Sequence, residues 1–189
     1  LSEKAVFRGG ILCFGVASGM GLYIVSQVGP LILLVGIVSL LAGYLYSSGP
    51  VPLGNVGLGE LTVFVFMGPL IVLSSYFVQT ESISWSATCA SLPVGMLVTA
   101  ILQANNLRDI DEDLGEGKHT LSTFFGARAG SRMYTLLVLG SYLVVILGGI
   151  SSMLPKWASL SLMTIPSAIG LSRRLGQTRS RSGFNAILI

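Results

Sequence analysis

Charged residues are scarce in this chain. Lys, Arg, Asp and Glu together make up 10% of its 189 residues, whereas 52% are hydrophobic. An average soluble domain carries about 25% charged residues. This shortage excludes a disordered chain and a nucleic-acid binder, and it argues against an ordinary soluble domain.

Cysteine is also rare, with only two residues of this type. Cys13 and Cys89 lie in apolar runs, without the CxxC spacing or the neighbouring histidines that a zinc site needs. We therefore interpret both as small core residues rather than as a disulfide or as metal ligands.

The longest stretch without charge indicates the class of protein. No Lys, Arg, Asp, Glu or His occurs between Arg8 and Glu60. A membrane-spanning helix needs about 20 apolar residues, and a charge at its centre costs about 2.5–3.5 kcal/mol on the insertion scale. The pattern predicts an all-α, polytopic transmembrane helical bundle that forms a single membrane domain over residues 1–189. The six expected spans are Gly9–Gln27, Leu31–Tyr46, Leu61–Gln79, Ser84–Ala104, Arg132–Ser151 and Trp157–Leu171.

Both ends of the chain have the character of an excerpt from a longer protein. The first residue is Leu1 rather than Met, and Phe184–Ile189 has the composition of a seventh span that stops after one or two turns. We expect a truncated seventh span there.

The basic residues predict how the spans are oriented. Ten of the eleven Lys and Arg residues fall on the side of the spans that holds the N-terminus, and only Lys156 falls on the other side. Cytoplasmic loops carry an excess of Lys and Arg. We therefore expect an integral, multi-pass protein of a prokaryotic plasma membrane, with the N-terminal side and the Asp-rich segment described next in the cytoplasm.

An acidic stretch follows the fourth span. Residues 103–121, here called the Asp-rich segment, contain five of the eight acidic residues. Asn105, Asp109 and Asp113 are spaced by four, so a continuous helix would place their side chains in one stripe. Like charges four residues apart repel, and a hard cation such as Mg²⁺, which prefers oxygen ligands, would relieve that repulsion. The spacing therefore predicts a Mg²⁺ site.

Basic side chains accompany this stripe. Arg108, Lys118 and His119 are suited to the remaining charge of a bound phosphate group. A solvated loop at the membrane edge is the simpler interpretation, which the regular spacing disfavours. A calcium loop is excluded, because Leu114 and Thr120 stand where an EF-hand requires Gly and Glu.

Two stretches resemble the UbiA superfamily of intramembrane prenyltransferases, and within it the 1,4-dihydroxy-2-naphthoate polyprenyltransferase branch. The superfamily's second Asp-rich motif is similar to residues 105–121, which read NNLRDIDEDLGEGKHTL. The branch's second cytoplasmic connection is similar to residues 44–60, which read YLYSSGPVPLGNVGLGE. The resemblance extends over nearly the whole chain.

This resemblance implies a nine-helix bundle around a central cavity, and a Mg²⁺-dependent enzyme. Two Asp-rich motifs would hold Mg²⁺ on an isoprenyl diphosphate. The polyprenyl group would pass to 1,4-dihydroxy-2-naphthoate, with loss of CO2 and diphosphate, in menaquinone or phylloquinone biosynthesis. The implied roles are catalysis for Asp109, Asp113 and Tyr46, metal binding for Asp109, Asp113 and Asn105, and substrate binding for Asn105, Arg108, Lys118 and Ser47.

One departure from the family pattern limits what this chain is expected to do alone. No Asp precedes Asp109, so the family's first Asp-rich motif is absent. We expect the chain to begin just after that motif, at the third of nine helices. The 189-residue chain would then hold one metal half-site and would not turn over.

Other interpretations stay open at this point. A UbiA-type enzyme with another aromatic acceptor, such as a hydroxybenzoate or homogentisate, differs only in motif details. A transporter is disfavoured, because no ionisable side chain lies inside the expected spans away from their ends. Glu60 is a single acid at the membrane edge. Its place in the sequence is equally consistent with a position in the cavity and with a structural role as a helix cap.

Overall fold

The computed structural model describes residues 2–178 and Gly183, and every regular element in this part of the chain is helical. Short 3-10 segments cover Leu53–Asn55 and Lys156–Thr164, and a wide π-helical turn covers Phe66–Leu70. The all-α fold class expected from the sequence is confirmed. The α-helices are α1 (Glu3–Val28), α2 (Pro30–Ser47), α3 (Gly59–Val65), α4 (Ile71–Thr80), α5 (Trp85–Arg108), α6 (Ile110–Gly115), α7 (Leu121–Ile150) and α8 (Ile165–Gln177).

Five stretches of the described chain are long and apolar enough to cross a membrane, and each overlaps one of the first five expected spans. They are α1, α2, α5, α7 and the composite span Gly59–Thr80, in which the π-turn joins α3 to α4. Gly29, with a φ of 111°, separates α1 from α2. Pro30 then begins α2, where its missing N–H costs nothing. The polytopic helical bundle is thereby confirmed.

The sixth expected span, Trp157–Leu171, does not form one helix. A 3-10 segment precedes α8, and Pro166 stands in the first turn of α8. Proline has no N–H, and its ring clashes with the carbonyl four residues back, so an α-helix does not run through this point unbroken. The described residues therefore hold five candidate spans, one fewer than expected. The truncated seventh span at Phe184–Ile189 lies outside the described residues.

The best-packed part of the bundle lies between α5 and α7. A Cβ added at Gly130 of α7 would meet Leu107 Cδ2 at 2.7 Å and Gln103 Nε2 at 2.8 Å, so the two helices touch closely here. This contact holds the end of α5, where the Asp-rich segment begins, against α7. The buried apolar residues of the core are Ala100, Ala104, Leu107, Tyr134, Val138 and Leu175.

The composite span crosses α5 with no side chain between the two backbones. A Cβ at Gly68 would lie 2.5 Å from the Cα of Gly95. Gly68 belongs to the π-turn, which also contains Pro69. A wide turn accommodates a proline that offers no N–H to the preceding turn. This crossing fixes one wall of the cavity described next.

Candidate functional site

A cavity of about 910 Å³ lies between α2, the composite span and α5. Along α2 its lining extends from Ile32 to Tyr46. At about 1.5 Å per residue this is about 21 Å, a large part of the hydrocarbon thickness of a bilayer. The wall is mainly aliphatic, and Val35, Leu70 and Ile101 are typical of it.

Three of the hydroxyl groups in the cavity wall are hydrogen-bonded within their own helices. Ser39 donates to the Val35 carbonyl at 2.7 Å, and Thr62 donates to the Leu58 carbonyl at 2.8 Å. Ser74 donates in the same way to the carbonyl four residues back. A hydroxyl that returns its proton to the backbone offers no donor to a ligand. These three hydroxyls therefore add little polarity to the mainly aliphatic wall.

The cavity is polar at the end nearest the Asp-rich segment. Tyr46, near the end of α2, and Asn105, in the last turn of α5, both line it. The Tyr46 ring packs beside Gly54, where an added Cβ would meet the ring at 3.4 Å and the Tyr46 carbonyl oxygen at 3.1 Å. The loop after α2 thus holds this ring at the polar end.

The Asp-rich segment is helical but not as one uninterrupted helix. The helix α5 ends at Arg108, and Asp109 sits at the junction with α6 with φ −102° and ψ 12°. The backbone bonds nevertheless keep a spacing of four, because Asp109 N donates to Asn105 O at 3.0 Å and Asp113 N to Asp109 O at 2.9 Å. The expected continuous stripe is therefore bent at Asp109.

Each of the two carboxylates is paired with a basic side chain of the same segment. Arg108 makes a bidentate contact with Asp109, at 2.8 and 2.7 Å. Lys118 Nζ donates to Asp113 Oδ1 at 3.0 Å. The Asp113 side chain is only 7% exposed, and its Oδ2 has no hydrogen-bond partner in the described structure. Buried polar atoms usually have a partner, so this oxygen is suited to accept a cation.

The structure brings part of the predicted site to the cavity. Among the described residues that line it are Asn105 and Tyr46, whereas Asp109 and Asp113 are not among them. Ser47 is exposed at the end of α2 and is also outside the lining. Within residues 2–178, no group of three or more His, Cys, Asp or Glu side chains is placed to hold a metal. Arg108 and Lys118 contact the carboxylates, so their role toward a substrate stays a prediction.

Glu60 is the residue whose place the sequence left open, and it is almost completely buried, at 2% exposure. Its Oε1 accepts a hydrogen bond from Asn106 Nδ2 at 2.9 Å and one from the backbone N–H of Leu121 at 3.3 Å. Leu121 is the first residue of α7, so Glu60 caps that helix from another element. Glu60 is not in the cavity lining, and the capping interpretation is the one that agrees with these contacts.

The loop after α2 also docks directly on the Asp-rich segment. His119 N donates to Asn55 O at 2.9 Å. The His119 ring stacks on Phe124 with 5.1 Å between ring centroids. Gly57, with a φ of 78°, faces the Phe124 ring, and a Cβ at Gly57 would lie 3.1 Å from that ring. The two stretches that carry the family resemblance are therefore neighbours in space.

A buried polar pair beside the segment was missed by the sequence analysis. Gln103 Nε2 donates to Ser122 Oγ at 2.8 Å, and both side chains are 0% exposed. The sequence feature that could have indicated this pair is Gln103 itself, a glutamine at the end of an otherwise apolar span. The pair joins the end of α5 to the start of α7.

Comparison with known families bears on this arrangement directly. The sequence model of the UbiA prenyltransferase family matches residues 1–186. The chain belongs to the UbiA prenyltransferase family. Enzymes of this family generally depend on a divalent metal ion.

Three relatives of this UbiA family chain carry names that state a reaction. A 1,4-dihydroxy-2-naphthoate octaprenyltransferase of Bacillus subtilis is 30% identical over 169 residues, which is 89% of this chain and 54% of the relative. A 2-carboxy-1,4-naphthoquinone phytyltransferase of Synechocystis is 33% identical over 74% of this chain and 46% of its own length. A 1,4-dihydroxy-2-naphthoate octaprenyltransferase of Escherichia coli is 33% identical over 75% and 46%. The chain thus spans about half the length of these relatives.

The donor set of this UbiA chain fits a divalent metal. Hard cations take oxygen ligands, and Mg²⁺ is commonly held by one or two carboxylates together with water and phosphate oxygens. Asp113 offers a buried oxygen that no donor satisfies in the described structure. That Asp109, Asp113 and the amide oxygen of Asn105 hold the ion together stays a prediction.

Proposed function

We propose that the full-length protein transfers a polyprenyl group from an isoprenyl diphosphate to 1,4-dihydroxy-2-naphthoate, with release of CO2 and diphosphate, in menaquinone or phylloquinone biosynthesis. The observation that carries the proposal is the apolar cavity that becomes polar at Tyr46 and Asn105, beside the Asp-rich segment. Relatives named as naphthoate prenyltransferases support the choice of acceptor. The whole chain would serve as one membrane domain.

The donor suits both ends of the cavity. An isoprenyl chain is apolar and needs a long aliphatic surface, which α2, the composite span and α5 supply. The diphosphate would lie at the polar end, next to Arg108 and Lys118. These cations would exchange part of their contact with Asp109 and Asp113 for the phosphate oxygens.

The chemistry requires charge stabilisation and the exclusion of water. The allylic C–O bond breaks, and its electron pair leaves with the diphosphate. A C–C bond then forms between the allylic carbon and the acceptor ring. The bond between the ring and its carboxylate breaks, CO2 leaves, and the electron pair of that bond restores the aromatic ring. When bound, Mg²⁺ would supply positive charge beside the leaving group. Arg108 and Lys118 would add to it, which favours the transition state over the ground state. The aliphatic wall keeps water from the allylic cation, and the face of Tyr46 would stabilise it.

The orientation of the site follows from the charge pattern. We place the Asp-rich segment on the cytoplasmic side of the membrane, because ten of the eleven Lys and Arg residues fall on that side of the spans. A water-soluble acceptor and a charged diphosphate would then reach the site from the cytoplasm. The prenyl chain would enter from the lipid.

An activity assay of the full-length protein tests the proposal. With Mg²⁺ and an isoprenyl diphosphate, we expect prenylation of 1,4-dihydroxy-2-naphthoate and not of 4-hydroxybenzoate. Asp109→Asn and Asp113→Asn should each lower the rate by about 100-fold or more, since each removes a carboxylate that would hold Mg²⁺ beside the leaving group. Glu116→Gln is the matched control, because Glu116 is an exposed acid of the same segment.

Two results would contradict the proposal. Preference for 4-hydroxybenzoate would reject the acceptor while keeping the enzyme class. Unchanged rates in both Asp variants would reject the metal role assigned to the Asp-rich segment.

A further inference from the structure

We propose that Glu60 is a positioning residue, whose single oxygen Oε1 clasps both ends of the Asp-rich segment and so holds the metal-binding carboxylates in place. The proposal rests on the proposed function for what the carboxylates do. The argument for how the segment is held uses only the contacts of Glu60.

The two donors on Glu60 sit immediately outside the acidic part of the segment. Asn106 Nδ2, in the last turn of α5, is 2.9 Å from Oε1, and the Leu121 N–H, at the start of α7, is 3.3 Å from the same atom. Residues 107–120, including both Asp109 and Asp113, therefore form a loop whose two ends meet at one carboxylate. This meeting point is one of the contacts that hold the loop relative to the cavity, beside the Gln103–Ser122 hydrogen bond and the packing of Leu107 on Gly130.

The surroundings of Glu60 make the clasp strong. The side chain is 2% exposed, and a buried carboxylate binds donors more strongly than a neutral acceptor does. Glu60 lies in the first turn of α3 and accepts from the first N–H of α7, so it joins the starts of the two helices. No other acceptor is shown for the Asn106 amide or the Leu121 N–H among the described residues.

Glu60 also connects the segment to the cavity. Gly59, the residue before it, lies under the Tyr46 ring, where an added Cβ would be 3.8 Å from that ring. Asn105, the residue before Asn106, lines the cavity. The clasp therefore fixes the distance between the polar end of the cavity and the carboxylates beyond it. A cap that only stabilised α7 would not need the second bond to Asn106.

Hydrogen exchange of the full-length protein tests the clasp without any substrate or metal. In Glu60→Ala, the peptide covering the end of the segment and Leu121 should exchange about tenfold faster, equivalent to about 1.4 kcal/mol of lost protection. Glu60→Gln keeps an oxygen at the same reach, so its exchange should stay within about threefold of the wild type. Tyr142→Phe is the control, because it removes another hydrogen bond between elements, Tyr142 to Thr164 at 2.7 Å, far along α7.

The second measurement is the Mg²⁺ concentration that gives half-maximal prenyl transfer. We expect Glu60→Ala to raise it about tenfold, with partial rescue in Glu60→Gln and no change in Tyr142→Phe. A cap with only a structural role would lower the amount of folded enzyme and leave this concentration unchanged. If Glu60→Ala does not fold, Glu60→Gln alone decides, with about a threefold rise expected.

The outcomes separate the two proposals. Exchange as slow in Glu60→Ala as in the wild type overturns the clasp, whatever the activity. Faster exchange with an unchanged Mg²⁺ requirement overturns the positioning role. Faster exchange in Glu60→Ala, together with a wild-type protein that transfers no prenyl group, rejects the proposed function and supports the clasp itself.

Discussion

A methyl group added at Gly68 probes the closest contact between two spans. In Gly68→Ala the new Cβ would lie 2.5 Å from the Cα and 2.9 Å from the N of Gly95. Ordinary contact begins near 3.4 Å, so the spans would have to separate by roughly 0.9 Å. Because both partners are backbone, no side chain can move aside.

The cost of this separation follows from packing. Overpacking costs about 1–3 kcal/mol, and the absence of a movable side chain places this case at the upper end. Replacing Gly by Ala in a helix returns up to about 1 kcal/mol. We expect Gly68→Ala to lower the free energy of unfolding by about 1–2 kcal/mol.

Denaturant titration of the full-length protein in mixed micelles measures this difference, provided that the slope of the transition stays constant. Gly36→Ala is the matched control, since Gly36 is helical and an added Cβ would meet nothing within 4 Å. Its free energy of unfolding should be unchanged or slightly higher. Equal stabilities for the two variants would show that the spans do not touch at Gly68.

Two further predictions concern the Asp-rich segment and use the same titration. Lys118→Met should lower the free energy of unfolding by about 1–3 kcal/mol, because it leaves the buried Asp113 carboxylate without its cation. This is less than the loss from a fully buried ion pair, since the Lys118 side chain is 33% exposed. Adding Asp113→Asn should restore most of this loss, and a Lys118→Met protein as stable as wild type would contradict the pairing. Thr120→Ala should cost about 1 kcal/mol, because Thr120 Oγ1 caps α7 by accepting from Thr123 N at 3.2 Å. Thr120→Ser should keep the cap, and a loss as large as in Thr120→Ala would refute its role.

Much of the fold could be predicted from the sequence, because the length of an apolar run depends only on neighbouring residues. The uncharged run from Arg8 to Glu60 predicted the two spans that form α1 and α2. The sixth expected span has an apolar composition, but its backbone changes from 3-10 to α-helical geometry just before Pro166. Hydropathy measures the apolar composition of a segment but does not detect a change in its backbone geometry.

The candidate site was only partly accessible. The spacing of Asn105, Asp109 and Asp113 predicted their grouping, and the backbone bonds keep that spacing. The bend at Asp109 and the pairing of Asp113 with Lys118 depend on tertiary contacts that no local pattern encodes. The role of Glu60 was undecided for the same reason, because its partners Asn106 and Leu121 lie 46 and 61 residues away.

The π-turn in the composite span has a consequence for how insertions and deletions would act. A helix turns by about 100° per residue, and a π-turn absorbs one residue more than a regular turn does. Met67, before Pro69, and Ser74, after it, both face the cavity across this turn. Deleting one residue between Phe66 and Leu70 would restore a regular helix, and α4 would keep its orientation because the wide turn already absorbs that residue. A deletion in the regular helix before Ser74 would instead rotate Ser74 and Gln79 by about 100° and move them out of the cavity wall.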